Sequence, residues 1–233
     1  MTGGLFEYPA QAAFGRVLPK SKVFAFGSVS RRVKDLFAAE IERIVWRFKL
    51  APETVNLPAA PGVTEIQIFG VELKPGIEEL TEDVLRCIDN AIGFPIVFEI
   101  VAPTVKGARV KVVAAYKRPS EADTSKWVVG DYVSTEWVPA DAKRSTLPVT
   151  LNLGSLYDQM LRQLMPVAGR PGESLKELAE RQRLIAVKQR ELVRLEQQLR
   201  REKQFNRRVE INGQMREVKA AVDALTEVER GRD

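Results

Sequence analysis

Leu178, Ile185, Leu192 and Leu199 recur every seven residues, and Leu175 and Leu195 fill out the same side, which is the stripe an amphipathic helix buries. This period predicts a helix from Ser174 to about Arg208. Pro171-Gly172 breaks the chain ahead of it, and Ser174 with Glu177 three residues on forms a capping-box signature. The intermediate heptad positions are Gln182, Gln189 and Glu196, too polar for a long two-stranded coiled coil, so a single face against one other helix is expected. After Leu199 the register fails, and a second stripe begins at Ile211, Met215, Val218, Val222 and Leu225. That phase break predicts a second helix and an antiparallel hairpin. The turn is expected near 203–212, with Asn206 as a cap or Asn212-Gly213 as the break.

The same stretch carries the charge. At 100° per residue, Lys176, Arg183, Arg190, Arg194, Arg201 and Arg208 fall on one line opposite the leucines. Between Ser174 and Arg208 eleven cations stand against five carboxylates, a net +6 in a chain whose total is +5, so the remainder is close to neutral. A ridge of this kind offers sequence-neutral, salt-sensitive contacts to a phosphate backbone. The competing expectation is a solvated face laced with local ion pairs, such as Glu177 with Arg181 and Glu196 with Arg200.

With 233 residues, 45% of them hydrophobic, the chain has material for one full core and an appendage. The expected architecture is an α/β (α+β) body with a mixed central sheet flanked by helices over 1–168, a linker at 169–173, and a helical arm over 174–230. The single cysteine, Cys87, forms no intrachain disulfide, fits a reducing compartment, and is expected to pack on a helix. The opening MTGGLFEYPAQAAFG lacks a basic start followed by an apolar segment, and no apolar run approaches a membrane span, so a cytoplasmic protein without membrane contact is expected. The sequence holds no histidine, which removes Ser-His and Cys-His nucleophile pairs and His-containing zinc sites.

Along the body, residues 1–22 read as irregular and tethered by Phe6, Tyr8 and Phe14, and Val23–Gly27 as a short strand. Ser28 or Ser30 is expected to cap a helix running to about Lys49, with Val33, Leu36, Phe37, Ile41, Ile44, Val45 and Phe48 on its buried side. Thr64–Leu73 alternates as a half-buried strand. Leu80, Val84, Leu85, Ile88 and Ile92 mark a helix entered at Thr81. Pro95–Val101 and Arg109–Lys117 read as strands joined through Lys106-Gly107. Trp127–Trp137 reads as a strand or pair turning at Gly130-Asp131, and Ser155–Leu164 as a helix.

Chemistry-bearing motifs are sparse. Glu72-Leu73-Lys74 is an E-x-K arrangement, which in metal-dependent nucleases sets a carboxylate on Mg²⁺ and a lysine by the scissile phosphate. A further acid would come from Glu40, Glu42, Glu65 or Glu99. The same spacing arises on amphipathic strands whose polar side faces water. No phosphate-binding glycine loop is present, so no nucleotide cofactor is expected, and Mg²⁺ enters only under the nuclease reading. Trp127, Trp137, Tyr116 and Tyr132 could supply a stacking surface or pack in the core.

Leu18-Pro19-Lys20, Trp46–Leu50, Glu65–Phe69, Ala115–Arg118, Thr135–Trp137, Leu156-Tyr157 and Glu202–Asn212 follow, in that order, a pattern that resembles a bacterial domain-of-unknown-function family over nearly the whole chain. The resemblance implies a setting beside Snf-type helicases and DNA methyltransferases in restriction-like or phage-defence clusters, and supplies no catalytic residues. It gives Lys20, Lys49, Lys117, Arg118 and Glu136 a second reading, as one surface for a partner or phosphate. The expected function is a non-catalytic accessory subunit that docks a helicase or methyltransferase and touches DNA through the arm. The alternatives are a Mg²⁺-dependent nuclease using Glu72 and Lys74, and a scaffold that forms homo-oligomers through the leucine side of the arm.

Overall fold

The strand expected from Thr64 is the middle of a mixed sheet. In the computed structural model, which describes residues 4–26, 29–105, 107–123 and 126–227, it is β4 (Ile66–Leu73). Seven of its eight residues are buried, so it lies covered on both faces rather than half-exposed. Around it stand β2 (Ala13–Val17), β3 (Ile41–Leu50), β5 (Ile96–Thr104), β6 (Gly107–Pro119) and β7 (Trp127–Ser134), in the order β2-β3-β4-β5-β6-β7. Along this order β4 and β5 run parallel, and the other neighbours pair antiparallel. Parallel neighbours need a long crossover, here α4 (Glu82–Ala91). β8 (Val138–Pro139) adds to the start of β6, and β1 (Phe6–Glu7) pairs separately with β9 (Ser145–Thr146).

The chain divides into two units, Met1–Leu164 and Met165–Asp233. In the first, one face of the sheet carries Phe69, Val71, Phe98 and Ile100, packed with Phe37 of α2 (Arg31–Glu40) and Val84 and Ile88 of α4. Cys87 packs partly buried against this cluster, and burial raises its thiol pKa. The short helices α1 (Lys20–Phe24) and α3 (Pro52–Val55) and the longer α5 (Leu153–Arg162) complete the unit. Among the described residues no helix is long and apolar enough to cross a membrane.

Several local expectations are corrected. The helix read from Ser30 to Lys49 is two elements: α2, capped by the Ser30 hydroxyl on the Val33 N–H, stops at Glu40, and Ile41–Leu50 is strand β3. Two register shifts against β4, at Ile41/Arg43 and Trp46/Phe48, break strict alternation. They leave Ile41, Ile44, Val45 and Phe48 at helix-like spacing, although β-branched and aromatic residues favour a strand. Val23-Phe24 closes helix α1 instead of forming a strand. Gly130-Asp131 is interior to β7, where the pair forms a bulge opposite Tyr116 of β6. The Tyr157 hydroxyl of α5 accepts from the Lys117 N–H at 3.0 Å and donates to the Ala115 carbonyl at 2.8 Å, satisfying backbone groups beside that bulge. Ser28, Lys106 and the arm beyond 227 lie outside the described residues.

The opposite face of the sheet holds a buried charge cluster that the sequence did not announce. Glu99 is fully buried on β5 and takes Arg144 at 2.7 and 3.0 Å and Arg47 of β3. Gly70 pairs with Glu99 across the parallel register, and a Cβ there would lie 2.7 Å from Arg47 Cδ, so the glycine leaves the lane through which Arg47 crosses β4. Gly70→Ala is therefore expected to cost about 1–3 kcal/mol by displacing Arg47 from its carboxylate. A urea midpoint within error of the original protein would refute this account of the glycine.

Candidate nucleic-acid interface

The second unit is built from α6 (Leu175–Arg201) and α7 (Phe205–Thr226), which pack as a hairpin. Ser174 caps α6 by accepting from the Glu177 N–H, and the Glu177 carboxylate returns to the Ser174 N–H at 2.8 Å, completing the capping box. The Ser174 hydroxyl, which donates to the Glu177 carboxylate at 2.7 Å, and after it the Ser174 N–H, lower the Glu177 pKa. Leu195, Ile211 and Val218 form the hairpin core with Leu192, Leu199 and Met215. Only Glu202, Lys203 and Gln204 separate the helices, so Asn206 and Asn212-Gly213 both lie inside α7.

Lys176, Arg183, Arg190, Arg194 and Arg201 are all exposed on α6. At 100° per residue they cluster within about 40° of one another, opposite the buried leucines. Arg208, expected on the same line, is exposed on α7 instead, because the chain reverses before reaching it. The ion pairs on α6 also differ from those expected: Arg183 pairs with Glu180 at 3.2 Å and Lys188 with Glu191 at 2.8 Å. Among the described residues Arg190, Arg194 and Arg201 enter no ion pair. Arg183 to Arg201 spans about 27 Å of helix, long enough to meet several phosphates in succession.

Arg181, read from sequence as one more surface cation, is buried. It binds both oxygens of Glu173, at 2.6 and 2.7 Å, and donates to the carbonyls of Leu225 at 2.9 Å and Ala168 at 2.8 Å. Arg170 reaches the same end of α7 through the carbonyls of Ala224 at 2.7 Å and Glu227 at 3.1 Å. Two guanidinium groups thus satisfy the carbonyls that a helix end leaves open, where the helix dipole also favours cations. The bonds from Arg181 hold the Glu173 carboxyl at about 2, well below the usual range.

The residues considered for metal chemistry are held in separate places. Arg43 grips Glu72 at 2.6 and 3.2 Å, and Lys74 donates to the Ala38 carbonyl at 2.7 Å. Glu40 accepts from the Thr81 N–H at 2.8 Å and from its hydroxyl at the start of α4. Glu65 meets Gln67 at 2.6 Å and Lys49 at 3.4 Å. Among the described residues no three of His, Cys, Asp or Glu gather as a metal site.

Nor do the basic motif residues share one surface. Lys20 donates to the carbonyls of Phe37 and Ile41, closing the end of α2. Lys49 pairs with Glu53 at 2.8 Å, and Arg118 lies 3.7 Å from Glu121. The Glu136 carbonyl accepts from the Thr135 hydroxyl at 2.9 Å. Lys117 is buried, donating to the Asp89 carbonyl at 2.6 Å, the Ile92 carbonyl and Asp89 Oδ1 at 3.3 Å. Tyr132 donates to the other Asp89 oxygen at 2.5 Å. Burial lowers the Lys117 pKa and raises that of Asp89, each opposed by its partner. The strand aromatics are equally engaged: Trp137 donates to Glu79 at 2.8 Å, and Trp127 lies under the Lys117 ammonium.

A mixed-sheet α+β body carrying a basic helical hairpin defines the class of protein. The chain belongs to the family described as Domain of unknown function (DUF4391), whose model matches residues 6–222 and so takes in both the body and the hairpin. No curated protein and no solved structure matches it.

Proposed function

We propose that this chain is a non-catalytic accessory subunit of a bacterial DNA-processing or phage-defence system of restriction-like type. Its body docks a helicase or DNA methyltransferase, and its hairpin touches DNA through the α6 ridge. The observation that carries this reading is that Arg190, Arg194 and Arg201 stand exposed on one helix face without acidic partners among the described residues. The likeness of the motif residues to a family found beside such enzymes supplies the setting. A ridge of point charges reads phosphates rather than bases, so the contact is sequence-neutral.

Changing Arg190, Arg194 and Arg201 to Glu is expected to weaken duplex binding at least tenfold at low salt. It should also flatten the slope of log affinity against log salt by roughly three. An unchanged slope removes the ridge from the proposal. The Mg²⁺-nuclease alternative draws no support from Glu72 and Lys74, whose head groups are engaged by Arg43 and the α2 backbone. Plasmid cutting in Mg²⁺ that is lost in both Glu72→Ala and Lys74→Ala would reverse that ranking.

A further inference from the structure

At the turn of the hairpin, Phe205 is 78% exposed. An aromatic ring left in water at the first position of a helix, while Ile211 and Val218 of the same helix are buried, does not serve the hairpin core. Its surroundings are strongly cationic: residues 200–208 hold Arg200, Arg201, Lys203, Arg207 and Arg208 against the single acid Glu202. A polar cleft of about 280 Å³ lined by Gln198, Arg201, Glu202, Arg207, Ile211 and Gln214 lies on the other face of α7 and does not include the ring. Arg207 is partly neutralised by Glu210 at 2.7 Å, and Arg201 leads straight back into the α6 ridge.

We infer that the hairpin tip is a stacking point for an unpaired base, with Phe205 meeting the base and the flanking arginines holding its phosphates. This rests on the ridge contacting nucleic acid, and adds that the nucleic acid preferred is single-stranded or opened at a junction. Duplex bases are already stacked and offer no face to a phenyl ring, whereas an unpaired base does. Aromatic stacking beside a basic groove is the usual means of holding single strands without regard to sequence. The charge of the turn selects a polyanion.

The test uses the full chain and three fluorescent probes of one sequence: a 30-nucleotide single strand, its duplex, and a fork carrying 2-aminopurine at the first unpaired position. Phe205→Ala is expected to weaken single-strand and fork binding roughly tenfold and to abolish 2-aminopurine quenching. Duplex affinity and salt slope should change less than about twofold. Phe205→Trp should restore quenching. At an exposed position neither substitution endangers the fold, and circular dichroism checks this. Equal binding of the single strand by Phe205→Ala and the original protein, with the duplex still bound, overturns the stacking point and leaves the ridge standing. If the original protein binds none of the probes at low salt, the ridge and the tip fall together. A change from dimer to monomer on Phe205→Ala, with DNA binding unaltered, assigns the tip to self-association and also overturns the inference.

Discussion

Replacing Lys117 by methionine is expected to cost about 3–5 kcal/mol, the largest effect of any substitution considered for this chain. Lys117 is 1% exposed, and its ammonium answers three acceptors at the end of α4: the carbonyls of Asp89 and Ile92 and the Asp89 carboxylate. Removing it leaves a carboxylate that is 2% exposed with only the Tyr132 hydroxyl and more distant charges to hold it, and leaves the Asp89 carbonyl with a long 3.4 Å bond from the Ile92 N–H. The measurement is chemical unfolding followed by tryptophan emission, since Trp127 lies against the ammonium. Combining Lys117→Met with Asp89→Asn should recover a good part of the loss, because much of the cost is the stranded charge rather than the missing bond. A loss under about 1 kcal/mol in the single variant, or no recovery in the double, would show that water reaches this pair.

Arg181→Leu is expected to open the far end of the hairpin, at a cost of about 3 kcal/mol. The substitution keeps the apolar stem but takes the Arg181 guanidinium from Glu173 and deprives the last turn of α7 of a guanidinium donor. The loss should be confined to the second unit: amides of α7 should exchange faster and trypsin should cut there first, while the sheet keeps its protection. Acid should mimic the substitution. Glu173 has its pKa depressed from about 4.3 in an unfolded chain to about 2 in the fold. Its contribution is therefore complete above about pH 4.3 and drains away as the pH falls through about 2. In Arg181→Leu this pH dependence of the hairpin should flatten. If α7 exchange rates match those of the original protein at pH 7, Arg181 and Glu173 do not fasten the hairpin.

How far these features could be read from the sequence depends on how local their causes are. The hairpin was legible because its signals are local: a seven-residue repeat, a capping box at Ser174 and Glu177, and a phase break after Leu199. The exposed face carrying Arg190, Arg194 and Arg201 follows from helix geometry alone. The turn was harder to place, since Gln204 caps no N–H with its side chain and the residues favoured as breakers, Asn206 and Asn212-Gly213, were absorbed into α7. Arg208 moved off the ridge for that reason. Strand β3 was misread because two bulges give its apolar residues a helical spacing, and a bulge exists only once β4 is there to pair with.

The charged residues mark the sharpest division. Sequence by itself determined that α6 is amphipathic and basic, that β4, β5 and β6 are strands, and that no histidine chemistry is available, because each follows from composition or from periodicity within one segment. Only the tertiary structure decided which ions face water. Lys117, Arg181 and Glu99 are written in the same letters as their exposed counterparts, and their burial depends on partners 28, 8 and 45 residues away in sequence, at Asp89, Glu173 and Arg144. The free energy of a charge is set by the dielectric and the counter-charge around it, and those are properties of the assembled fold.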